Sequence, residues 1–110
     1  MKMQAIADAL APLATLVPYC HITCDDNLMS SVWLKCSFDK KEDWSNGIFH
    51  NSRYFMIHIT PPKGARWYEG GNVEAELTSA SKVDKFRKYT STPEKVVAKI
   101  RQWIEQQVNR

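Results

Sequence analysis

Glycine is scarce in this sequence, four residues in 110, and none of the four belongs to a loop that could cradle phosphates. Serines are plentiful, yet none stands in a Gly-x-Ser-x-Gly elbow, so the usual serine hydrolase arrangement is excluded. No apolar run approaches the ~20 residues of a membrane span, because Pro12, Thr15 and Pro18 interrupt the N-terminal one. The start has one lysine, an early Asp8 and no clean apolar stretch, unlike a secretory leader, so the expected compartment is the cytoplasm. Cysteine is limited to three, and an odd count without a leader reads as free thiols. Cys20 and Cys24 flank His21, which invites zinc, with Cys36 or His58 to complete the set. The usual second Cys-x-x-Cys or His-x-x-x-His is missing, so no metal and no cofactor are expected.

What is present fits one ordinary globular domain over residues 1–110, with 44% hydrophobic and 25% charged residues. The net charge of +3 is unevenly spread. Residues 1–52 hold four basic and six acidic side chains, whereas residues 53–110 hold eleven and six. The bias is sharpest across Lys82, Lys85, Arg87, Lys88, Lys95 and Lys99, a set that either attracts polyanions or acidic proteins or is simply a solvated face.

The segment Ser91–Arg110 organises the rest. Ser91 or Thr92 can cap a helix, Pro93 suits its first turn, and with Ser91 as the cap Glu94 completes a capping box. Val96, Val97, Ile100, Trp103, Ile104 and Val108 then share one face, opposite Lys95, Lys99, Gln102 and Gln106. At the other end Met3, Ile6, Ala7, Leu10 and Leu13 or Ala14 form a second amphipathic stripe, which Pro12 should end or kink near Ala11.

Between the helices the period is two. Residues 20–26 give a weak strand signal, with Cys20, Ile22 and Cys24 on one side. Val32, Leu34, Cys36 and Phe38 alternate with Trp33, Lys35 and Ser37. In Arg53–Thr60 both faces are rather apolar, as in a central strand, and Pro61–Pro62 stops it. Val73, Ala75 and Leu77 alternate with Glu74 and Glu76. The stretch Thr78–Tyr89 is ambiguous between a helical turn and a short lysine-bearing edge strand over 86–90. The expected fold is α+β: an antiparallel sheet of three to four strands with an N-terminal and a C-terminal helix packed on one face, in α-β-β-β-α order.

Two known types share this outline. The double-stranded RNA-binding domain carries a lysine cluster at the start of its last helix, echoed here by Lys95 and Lys99. The closing segment Tyr89–Ile100 resembles that of a group of small uncharacterised phage and prophage proteins with the same element order. The resemblance covers the C-terminal fifth of the chain, implies a mobile-element origin, and carries over no activity and no functional residue.

For binding, Arg66, Trp67 and Tyr68 stand out in the loop over 63–72, an aromatic pair beside an arginine of the kind that dominates interface hot spots or stacks on bases. The alternative is that Trp67 folds back as a lid on the core. His21, His50 and His58 could include an acid–base pair, but nothing in the sequence brings a nucleophile to them. The reading is a non-enzymatic binding protein that meets a host protein or protein complex through the Arg66–Tyr68 loop, steered by the basic face. The alternative is nucleic-acid binding through Lys82, Lys85, Arg87, Lys88, Lys95 and Lys99.

Overall fold

The structure is a computed structural model that describes residues 3–26, 30–37, 54–62, 65, 68, 70–78 and 88–108. Helix α1 (Met3–Leu10) opens the chain and passes at Ala11–Thr15 into a 3-10 turn with Pro12 in its first positions. The switch follows from Pro12, whose ring and missing N–H are incompatible with continuing the α-helical ladder. The turn is closed by the Thr15 hydroxyl donating to the Pro12 carbonyl at 2.8 Å and by Leu16 N–H donating to Leu13 O at 3.0 Å.

Among the described residues five antiparallel strands follow, paired in chain order: β1 (Tyr19–Asp25), β2 (Ser31–Ser37), β3 (Tyr54–Thr60), β4 (Val73–Thr78) and β5 (Tyr89–Ser91). Helix α2 (Pro93–Val108) closes the fold. The sheet thus exceeds the expected three to four strands, and the order has five strands between the helices. The count rises because both weakly signalled edges form. β1 is long but weakly apolar, and β5 is three residues held by backbone pairing of Val73 with Ser91, Glu74 with Thr90 and Ala75 with Tyr89. Neither edge needs a strong sequence pattern, since each is paired on one side only. β3 is the central strand, as its two apolar faces imply.

Register explains the core. Ile22, Leu34, Ile57 and Leu77 form one row across four strands, and Cys24, Val32, Ile59, Ala75 and Tyr89 form another across five. All point to the same face. There Met3, Ile6, Ala7 and Leu10 of α1 join Val96, Ile100, Trp103 and Ile104 of α2 in a single buried cluster with the inward strand residues. Phe55 meets the Trp103 indole edge-on, with ring centroids 4.7 Å apart at 80°. Both helices therefore cover one face.

Two details of α2 differ from expectation. Ser91 is taken by β5, and it is the Thr92 carbonyl that accepts from Val96 N–H at 2.9 Å. Thr92 is thus the cap residue, and Glu94 falls one position short of a capping box while still facing the positive helix end. At the other end Gln107 is buried at 2% exposure and Val108 is 41% exposed. At about 100° per residue Gln107 lies near the middle of the stripe and Val108 at its border, so position outweighs polarity.

The N-terminus of α1 is capped from a distance. Asp26, just beyond β1, accepts Met3 N–H at 2.8 Å on Oδ1 and Gln4 N–H at 3.1 Å on Oδ2. One carboxylate satisfies two of the unpaired amides and sits at the positive end of the helix. Asp26→Ala should cost about 1–2 kcal/mol, in line with loss of a helix cap. Denaturant unfolding checks this, and a cost of a few tenths would mean that the cap contributes nothing.

Candidate functional site

The second face of the sheet carries no described helix, and the residues alternating with the core rows are gathered there. Across the middle, Thr23, Trp33, His58 and Glu76 form one row on four neighbouring strands. The Trp33 and His58 rings stack, with centroids 3.8 Å apart and an interplanar angle of 8°. Lys35, two residues along β2, places Nζ 5.8 Å from the Trp33 ring, within cation–π reach. Both aromatic residues are half-buried, so the stack is supported from below and still offers surface.

The stack also affects His58 chemically. Its Nε2 is buried with no hydrogen-bond partner among the described residues. Burial lowers the His58 pKa from its ordinary value, and the Glu76 carboxylate only partly offsets this. At neutral pH the ring is therefore uncharged. His21 lies on the same face but on β1, with β2 between it and β3, so the two rings are about 10 Å apart in the pairing direction. His50 lies outside the described residues.

Towards the β5 edge the face becomes ionic. Lys88 Nζ lies 3.8 Å from Glu74 Oε2 and 3.9 Å from Glu76 Oε2, and the Thr90 hydroxyl donates to Glu74 Oε1 at 3.5 Å. Lys88 is half-exposed, so the two ion pairs are worth little in stability, but they fix a patch holding both charge signs beside the aromatic stack.

Of the residues picked out in the sequence, the structure separates Lys88 from Lys95 and Lys99. Lys88 sits against the outer-face glutamates, whereas Lys95 and Lys99 are exposed on α2, in the opposite layer. Lys99 Nζ lies 5.7 Å from the ring of Tyr89, which belongs to a core-facing row. Lys82, Lys85 and Arg87 lie outside the described residues, as do Arg66 and Trp67. Tyr68 is described: it packs against the core, its N–H donates to Ser30 Oγ at 3.0 Å, and its hydroxyl donates to the Gly71 carbonyl at 3.2 Å. Burial, and then the Glu94 charge, raise the pKa of that hydroxyl. Tyr68 thus braces the loop base.

The stack of Trp33 on His58 is a feature that local periodicity could only half find. Alternation puts each ring on the face opposite the core, but only strand register makes them neighbours. Among the described residues no group of three or more His, Cys, Asp or Glu is placed to hold a metal ion, and no helix is long and apolar enough to cross a membrane. Comparison with protein-family models, with curated proteins and with solved structures finds no match for this chain.

Proposed function

We propose that this chain is a non-enzymatic binding protein that docks a protein partner on the face of its sheet that carries no described helix. The observation that carries the proposal is the half-buried Trp33–His58 stack, bordered by Lys35 on one side and by the Glu74–Glu76–Lys88 patch on the other. Tryptophan in such a setting is the side chain most often found at the centre of interface hot spots. The mixed charges suit a protein surface, whereas a phosphate backbone crossing this face would meet Glu74 and Glu76. Lys95 and Lys99, on the opposite layer, would act only at long range, on association rate and its salt sensitivity. The likeness of the last fifth to phage and prophage proteins extends the proposal to a host protein or complex as the partner.

A second reading has one observation in its favour: a stacked, half-buried aromatic pair beside a lysine can also accept an unpaired base. Salt separates the two. A gel-shift titration with single- and double-stranded DNA and RNA at two salt concentrations should show no tight binding. A partner captured from the host should lose about 2 kcal/mol, roughly thirty-fold in Kd, with a folded Trp33→Ala variant. Micromolar or tighter nucleic-acid binding that vanishes at high salt would reverse the order of the readings.

A further inference from the structure

Cys20 of β1 and Cys36 of β2 are directly opposed in the ladder, and their sulfurs lie 3.1 Å apart. Both are free thiols, Cys36 buried and Cys20 half-buried. We propose that this pair is an oxidisable dithiol, converted by a peroxide into a disulfide that ties the edge strand β1 to β2.

The backbone already suits the bond. Directly opposed residues of an antiparallel pair have Cα atoms about 4.5–5.5 Å apart, within the span of about 4.4–6.8 Å that disulfides use. The sulfurs must close by roughly 1 Å to reach bonding distance, a shift that side-chain rotation can supply.

The two thiols have distinct roles. The Cys36 S–H donates to Cys20 Sγ, which draws the Cys20 pKa below its ordinary value although burial opposes this. The same hydrogen bond, with burial next, raises the pKa of Cys36. Cys20 is also the more accessible sulfur, so it reacts first. Its thiolate attacks one oxygen of a hydroperoxide: an S–O bond forms, the O–O bond breaks, and the departing alkoxide takes a proton and leaves as an alcohol. Cys36 sulfur then attacks the sulfenic sulfur: the S–S bond forms, the S–O bond breaks, and the departing hydroxide takes the Cys36 proton as water. Two electrons pass from the sulfurs to the peroxide, and with hydrogen peroxide both products are water.

Cys24 is excluded from this chemistry by its own surroundings. It shares the inward side of β1, but its sulfur donates to Asp26 Oδ2 at 3.7 Å. Burial first, then the Asp26 charge, push its pKa up to about 11, so little thiolate is available.

The test treats the reduced, full-length chain with a small excess of hydrogen peroxide, then measures intact mass and titrates thiols in denaturant. The expected result is a loss of about 2 Da, reversed by a dithiol reductant, with two of the three thiols consumed. Peptide mapping of the unmutated protein should join Cys20 to Cys36, a result that depends on no variant folding correctly. Cys24→Ser should oxidise as the parent does, while Cys20→Ser should show no such mass loss. Direct passage to sulfinic or sulfonic acid without the disulfide, or a linkage that uses Cys24 or a second chain, would overturn the proposal.

Discussion

Trp103→Ala is expected to lower the unfolding free energy by about 3–5 kcal/mol, the range of large-to-small changes at buried aromatic sites. Trp103 is only 5% exposed and sits on the apolar stripe of α2 between Ile100 and Ile104, both fully buried. Its ring packs edge-on against Phe55 of the central strand, so truncation opens a void between α2 and β3. For a domain of this size the melting temperature should fall by about 15 °C or more. The aromatic contact itself is a fraction of the whole. A double-mutant cycle with Phe55→Ala should give a coupling of about 0.5–1.5 kcal/mol beyond the burial of either ring. A soluble variant that melts with the parent would remove Trp103 from the core.

The position of Trp103 is legible because a helix declares its buried face locally, through side chains three and four residues apart. The same holds for β2, β3 and β4, where Val32, Leu34 and Cys36, Phe55, Ile57 and Ile59, and Val73 and Ala75 recur at every second position, and each of these residues is buried. Pro12 is legible for a different reason: its effect on the backbone depends on nothing distant. What escapes the sequence depends on partners far along the chain. For β5 the sequence leaves a helical turn and an edge strand open, and only pairing with β4 decides between them at Tyr89–Ser91. Asp26 caps a helix that begins more than twenty residues before it, and Cys20 meets Cys36 only through the register in which β1 pairs with β2. Gln107 escapes because polarity argues against the burial that its angular position imposes. The candidate site was divided the same way. Trp33 and His58 each sit on the outer side by local alternation, yet neither local pattern implies that the two rings touch.

Adjacent residues on β3 should respond in opposite ways, and the contrast tests both faces of the sheet. Ile57 is fully buried, in the row with Ile22, Leu34 and Leu77, so Ile57→Asn removes buried methyl groups and leaves a desolvated amide. The expected loss is about 4 kcal/mol or more, and a loss below about 1 kcal/mol would mean that this face is not sealed. His58→Phe, one residue on, keeps a ring against Trp33 and should be tolerated at neutral pH. Its effect appears on acidification. The folded state holds the His58 pKa below its ordinary value of 6.5, so below that pH the unfolded chain binds the proton more readily. Stability contributed by the neutral ring is thus complete above about pH 6.5 and is lost as pH falls from there toward the folded value. Replacing the ring by phenylalanine abolishes this term. Denaturant midpoints for the parent and His58→Phe at several pH values between about 5 and 8 should diverge only on the acid side, with the parent weakening more steeply. Parallel acid limbs would show that the His58 ring is as free to protonate in the fold as in the unfolded chain, and that burial does not hold it neutral.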